Sequence, residues 1–148
     1  MIFWQRKLVI LLDTSFLIAY KNSSDVHHES AIKIMKDISL GEYGLAFVSD
    51  YIIDESISVL LSKMKNFELA RSFGKELISS FEVLFMNQEL FEISWRIFSE
   101  QNKTALSLTD CSLLALMCEK GVSHLATFDK RFIGVNGIQV IDAVRVGG

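Results

Sequence analysis

The pentapeptide Leu8-Val9-Ile10-Leu11-Leu12, closed by Asp13, is the feature that most narrows the folds open to this chain. An unbroken apolar run of strand length suits a strand buried on both faces of a parallel sheet; a half-exposed strand would alternate. Parallel strands need crossovers, and helical patterns occupy the places where crossovers belong. A short helical pattern leads from Asp13-Thr14-Ser15 to Tyr20, and a second, over residues 25–38, sets Val26, Ile34 and Ile38 at helical spacing. Gly41 and Gly44 punctuate the chain before a strand at 45–48, and Ser49-Asp50 starts a helix running to residue 65. Further helices are predicted over 67–81 and 89–101, separated by a strand at 83–86. The apolar pattern of 108–120 ends in a cation and Gly121, and strands at 124–127 and 137–141 follow. Strands alternating with helices define an α/β fold, here one domain over residues 1–148. Its central sheet is expected to be mostly parallel, four to five strands wide, with helices on both faces. In such sheets ligands bind outside the carboxyl ends of the strands.

The polar residues predicted at those ends are acidic. Asp13 directly follows the first strand, and Glu55 lies in the second turn of the helix after the second strand. Asp110 falls in the first turn of the apolar helix, and Asp129 follows the strand that begins at His124. Carboxylates brought together repel one another unless protonated or bound to cations. An all-oxygen set suits Mg²⁺ or Mn²⁺, whereas Zn²⁺ recruits Cys and His. A carboxylate-held Mg²⁺ keeps several waters and serves phosphate chemistry, by generating a nucleophile and offsetting charge. Each acid also has a plain structural reading. Asp13 can start the following helix, and Ser107-Leu108-Thr109-Asp110 fits a capping box. Asp129 can be a turn residue, Asp50 a helix cap and Asp54 a solvated neighbour of Glu55. The joint placement, rather than any one spacing, points to a metal site.

Composition taken alone argues against a nucleic-acid partner. The 148 residues carry 15 basic and 18 acidic side chains, a net charge of −3, where polyanion binders usually carry a basic excess. Setting aside the four acids assigned to the site leaves 14 acids against 15 bases, so the average hides a local concentration. No apolar run approaches the roughly 18 residues of a membrane span. Gln5-Arg6-Lys7 before the apolar run imitates a signal peptide, but Asp13 interrupts it and no small-residue cleavage site follows. Cys111 and Cys118 fall on one face of one helical pattern and read as reduced core thiols, so a cytoplasmic location is expected. His27 and His28, adjacent on a helix, diverge by about 100° and read as surface or packing residues. Phe91, Trp95 and Phe98 form a stripe that reads as core; that stripe, or the helix from Ile52 to Leu60, is the candidate face for a second copy of the chain.

At this point the residues resemble a family, the PIN-domain nucleases, particularly their prokaryotic VapC-like toxin branch. Leu11-Leu12-Asp13-Thr14-Ser15-Phe16-Leu17 is similar to the family's opening strand and first metal-binding Asp. Asp25-Val26-His27-His28-Glu29-Ser30-Ala31 resembles its D-x-x-H-x-x-A helix segment, and Val48-Ser49-Asp50-Tyr51-Ile52-Ile53-Asp54-Glu55 the segment ending in its second acid. Leu106-Ser107-Leu108-Thr109-Asp110-Cys111-Ser112 is similar to the third motif, and Leu125-Ala126-Thr127-Phe128-Asp129-Lys130-Arg131-Phe132 to the fourth. The resemblance implies Mg²⁺- or Mn²⁺-dependent cleavage of RNA by a homodimer, restrained by a cognate antitoxin. It assigns Asp13, Glu55, Asp110 and Asp129 to the metal, makes Ser15 and Thr127 candidates for orienting carboxylates or waters, and Lys130 and Arg131 candidates for phosphate contact. A receiver module fits poorly, because Asp13 stands alone and the third strand is followed by Asn87. A DxDxT phosphotransferase fails at Ser15, and a dinucleotide fold lacks GxGxxG after the first strand. A PIN-like interaction subunit that binds metal with little turnover stays as the alternative.

Overall fold

The structure, a computed structural model, describes residues 8–103 and 105–142; the signal-like segment at residues 5–7 lies outside them. Five strands, β1 (Val9–Leu12), β2 (Leu45–Ser49), β3 (Glu82–Leu84), β4 (His124–Ala126) and β5 (Gln139–Ile141), form one sheet in the order β3-β2-β1-β4-β5. Every pairing is parallel. β1 is central, with Leu11 opposite Phe47 on one side and Leu125 on the other. That position explains the unbroken apolar run: Ile10, Leu11 and Leu12 are fully buried.

Six helices make the crossovers: α1 (Thr14–Lys21), α2 (His28–Ser39), α3 (Asp50–Met64), α4 (Phe67–Ser80), α5 (Gln88–Ser99) and α6 (Leu108–Lys120). α1 packs on α2 and α3, and α3 on α4, while α5 packs chiefly on α6. From β1 the sheet grows one way through β2 and β3; the chain then crosses back to add β4 and β5 on the other side. Right-handed crossovers in these opposite directions put α1–α4 and α5–α6 on opposite faces. The order reverses between β1 and β4, which opens a crevice at their carboxyl ends.

Local chemistry sets the helix ends. The Ser49 hydroxyl accepts from the Ile52 amide at 3.1 Å, so Ser49 is the cap of α3 and Asp50 its first helical residue. Asp50 instead accepts from the amides of Tyr51 and Met86, both at 3.0 Å, tying the helix to the chain beyond β3. Asn66 and Asn87 cap α4 and α5, and Gly121, at φ +66°, closes α6. Gly44 is required for another reason: at φ +74° it passes so close to Leu8 that a Cβ would lie 1.8 Å from the Leu8 carbonyl oxygen.

Besides Asp50, which is not the cap expected of it because Ser49 takes that place, three expectations need correction. The second helix begins at His28, because Asp25 folds into a turn, its carboxylate accepting from the His27 amide at 2.9 Å and its carbonyl from the His28 amide at 3.0 Å. Val26 is consequently 89% exposed rather than core. Phe91, Trp95 and Phe98 are also exposed, since α5 turns Leu90 and Ser94 inward. Cys111 is buried, but Cys118 is exposed along with Glu119 and Lys120 in the last turn of α6.

Candidate active site

The crevice at the carboxyl edge is a cleft of about 470 Å³, and Asp13, Glu55, Asp110 and Asp129 all line it. A somewhat larger hollow, about 540 Å³, lies elsewhere among Tyr20, Ile38, Phe73 and Phe81, and none of the four acids reaches it.

Asp13 is fixed from three sides. Its amide donates to the Ala126 carbonyl at 3.0 Å, extending the β1–β4 ladder by one bond. Its carboxylate caps α1, with Oδ1 accepting from the Thr14 amide at 2.8 Å. Oδ2 accepts from the Ser15 hydroxyl at 3.0 Å and from the Thr127 hydroxyl at 2.7 Å. The two hydroxyls lie 3.1 Å apart, and each also receives an amide: Phe128 donates to Ser15, and Asp129 to Thr127, both at 3.0 Å. Ser15 and Thr127 therefore lock the strand ends that carry Asp13 and Asp129 to each other. Burial pushes the Asp13 carboxyl up to about 6; hydrogen bonds from Thr127, Ser15 and Thr14 oppose the rise, and the charge of Asp110 adds to it.

Asp110 is held by the capping box that its spacing from Ser107 predicts. Ser107 Oγ accepts from the Asp110 amide at 3.0 Å, and Asp110 Oδ2 accepts from the Ser107 amide at 2.9 Å. The cap and the site role coexist, because the cap fixes a buried carboxylate at the mouth of α6. Glu55 stands on the face of α3 that also brings Val59 and Lys63 to the cleft, at spacings of four residues. Glu55 makes no hydrogen bond or ion pair among the described residues. Asp54, its rival in sequence, is exposed and does not line the cleft.

Arg131 joins two of the acids. Its Nη2 donates to Asp129 Oδ2 at 2.5 Å and to Asp110 Oδ2 at 3.1 Å; Nε lies 3.0 and 3.1 Å from the two Asp129 oxygens. Nη1 donates to the Ala105 carbonyl. The guanidinium bonds hold the Asp129 carboxyl below the usual carboxylate range and raise Arg131 in turn. With the side chains so arranged, no three acids, histidines or cysteines among the described residues gather closely enough to hold one ion. The four carboxylates thus share a cleft, with a guanidinium rather than open space between Asp110 and Asp129. Lys130 is exposed and does not line the cleft.

Asp25, His27 and Lys63 also line the cleft; in the sequence Asp25 has only a place in the D-x-x-H-x-x-A segment and His27 a surface or packing role, and Lys63 is not singled out. The His27 ring stacks on Phe128, with centroids 4.4 Å apart and planes 5° from parallel, so the turn before α2 forms one wall. Lys63, two helical turns from Glu55, had a usable signal in its spacing; a contact between residues 27 and 128 has none. His28 is structural, its Nδ1 lying 2.7 Å from the Ala19 carbonyl.

A parallel β3-β2-β1-β4-β5 sheet with acids gathered at its switch point defines a class of α/β domain, and comparison with known proteins identifies it. The PIN domain family model matches residues 10–138, and the chain belongs to that family. It is 24% identical over 128 residues to a VapC ribonuclease of Archaeoglobus fulgidus, covering 84% of this chain and 80% of that protein. Among solved structures it is similar to Mycobacterium tuberculosis VapC20, described as a sarcin–ricin loop cleaving toxin. The TM-score is 0.77 at 21% identity, over 90% of this chain and 98% of that one. The DNA-bound VapBC of Salmonella typhimurium shares the fold at a TM-score of 0.67 and 19% identity, over 90% of this chain and 97% of the other. No helix among the described residues is long and apolar enough to cross a membrane.

Proposed function

We propose that this chain is a divalent-metal-dependent endoribonuclease and the toxin of a type II toxin–antitoxin pair. One observation carries the reading: in a PIN-domain sheet, four carboxylates from four separate segments, Asp13, Glu55, Asp110 and Asp129, line a single cleft at the switch point. The relative named as a VapC ribonuclease supports RNA as the substrate, and the neighbour described as a sarcin–ricin loop cleaving toxin supports a toxin role. The neighbour in a VapBC complex supports an antitoxin as protein partner. A second copy of the chain is the other partner this reading carries, and sedimentation velocity tests it.

The donor set fits Mg²⁺ or Mn²⁺. It is all oxygen, and it includes a buried carboxylate, Asp13, whose charged form is disfavoured by burial and by Asp110 and would gain from a nearby cation. Asp13, Glu55, Asp110 and Asp129 would hold the ion, directly or through water. Such an ion lowers the pKa of a bound water and offsets charge developing on a phosphoryl group. The chain's own residues do the positioning. Thr127 and Ser15 fix the Asp13 carboxylate, leaving its rotamer no slack, and the Ser107 cap does the same for Asp110. Glu55 is the acid without a bonding partner among the described residues, so it is the one available to accept a proton from an attacking water. Lys63 supplies positive charge on the α3 side of the cleft for the RNA backbone.

The test is purified wild type and Asp110→Asn incubated with mixed RNA in Mg²⁺, Mn²⁺ or EDTA. Asparagine keeps an oxygen for the Ser107 amide, so the fold is retained, and circular dichroism checks that. Cleavage by wild type with metal, lost in EDTA and reduced at least about 100-fold in the variant, is expected. Equal cleavage by both proteins would identify a contaminant and remove the assignment. No cleavage in any metal would leave the interaction-subunit reading in its place.

A further inference from the structure

We propose that Arg131 is a resident counter-cation of the cleft, so that uptake of a divalent ion is an exchange in which the ion displaces the guanidinium from Asp110 and Asp129. The inference rests on the proposed metal-dependent reading of the site and concerns what the metal must compete with.

The contacts define the competition. Asp129 Oδ1 accepts from both the backbone amide and Nε of Arg131, and Asp129 Oδ2 from Nε and Nη2. Asp110 Oδ2 accepts from the Ser107 amide and from Nη2. A carboxylate oxygen offers about two lone-pair directions. On Asp129 Oδ2 the guanidinium takes both, and on Asp110 Oδ2 it takes the one that the cap leaves. An ion binding directly to either oxygen must therefore remove Nη2 first. One planar, charged group satisfies two acids 19 positions apart, which is how a guanidinium serves where a hard cation otherwise would.

The same geometry lets the exchange run. The Arg131 side chain is 44% exposed and sits at the rim, so its departure opens no buried cavity. The backbone amide of Arg131 holds Asp129 Oδ1 at 3.0 Å whether or not the side chain stays, and the Thr127–Asp129 bond holds the loop. The carboxylates remain aimed at the cleft while the guanidinium swings away. Released there, it is a phosphate-binding group delivered to the rim only when the ion is in place.

Mn²⁺ binding, followed by loss of the free-ion electron paramagnetic resonance signal and by calorimetry, tests this without any measurement of cleavage. The proteins are wild type, Arg131→Gln, Arg131→Lys and Asp110→Asn. Exchange predicts that Arg131→Gln binds Mn²⁺ about tenfold more tightly than wild type, with Arg131→Lys between them and Asp110→Asn weaker. It also predicts that Mg²⁺ shifts the Arg131 Nε–Hε resonance of ¹⁵N-labelled wild type toward that of a solvated arginine. Equal or weaker Mn²⁺ binding by Arg131→Gln, with wild type binding normally, would overturn the exchange and leave the metal-dependent reading standing. Absence of binding by all four proteins at millimolar Mn²⁺ would overturn both. Thermal melts in EDTA show whether the variants are folded; a folded Arg131→Lys with wild-type affinity would also overturn the exchange, since a lysine cannot reproduce the bidentate fork.

Discussion

Replacing Asp13 with asparagine should stabilise the metal-free protein, although the Asp13 carboxylate accepts three hydrogen bonds. Its carboxyl is pushed up from 3.8 to about 6, so the folded protein holds that proton more tightly than the unfolded chain between those values. Stability contributed by this group is therefore fullest below pH 4, falls as pH rises toward 6, and is level above. A displacement of about two pH units corresponds to a penalty of about 3 kcal/mol for carrying the charge at neutral pH. The substituted amide carries no charge. It keeps an oxygen for the Thr14 amide, but its NH₂ meets the hydroxyls of Ser15 and Thr127, which must turn from donors into acceptors while already receiving the amides of Phe128 and Asp129. That mismatch costs about 1 kcal/mol. The net expectation for Asp13→Asn in EDTA at pH 7.5 is a gain of about 1–2 kcal/mol, or about 3–6 °C in Tm for a chain of this size. The assay is urea unfolding of both proteins at pH 4, 5, 6 and 7.5, and the diagnostic quantity is their difference. It should grow with pH and then level off. A variant less stable than wild type by the same margin at every pH would refute the buried, charge-disfavoured state assigned to Asp13.

Other consequences can be checked separately. Thr127→Val removes both the donor to Asp13 and the acceptor for the Asp129 amide, so it should cost about 1–3 kcal/mol in chemical denaturation and weaken Mn²⁺ binding about tenfold; Thr127→Ser should recover most of both. Gly44→Ala forces a Cβ onto the Leu8 carbonyl at a positive φ and should destabilise by about 3 kcal/mol or more, whereas Gly41→Ala, at φ +78° with nothing within 4 Å, should cost only about 1–2 kcal/mol in thermal melts. RNA affinity, measured by fluorescence anisotropy with the cleavage-defective Asp110→Asn protein or with a non-cleavable RNA on wild type, should be weaker in EDTA than in Ca²⁺; equal affinities would mean that the acids do not repel the RNA backbone.

The sheet and the acid set were legible because both follow from local pattern. An unbroken apolar run between turn signals fits a strand covered on both faces, as Val9–Leu12 is although Leu8 is exposed, and an acid directly after a strand points to the carboxyl edge. The Ser107–Asp110 spacing predicted the cap that the structure contains. What stayed hidden depends on contacts between distant segments. Helical spacing groups Phe91, Trp95 and Phe98 on one side of α5, but only the position of α6 determines that Leu90 and Ser94 are the covered residues. Likewise, nothing local reveals that His27 meets Phe128 or that Arg131 reaches back to Asp110. The overall charge of −3 misled for a related reason: it sums charges that the fold separates.

The lock between Asp13 and Thr127 has a consequence for how this protein is made. Its two halves are 114 residues apart, and they meet only when β4 slots in beside β1. A ribosome synthesises Asp13 and Glu55 early, yet the chain must extend past Asp129 before the fourth carboxylate exists and before Thr127 can hold the first. Every nascent chain shorter than that lacks the complete proposed site, which waits for a strand pairing of high sequence separation. For a protein proposed to attack RNA, that order of assembly delays harm to the machinery translating it until β4 has left the ribosome.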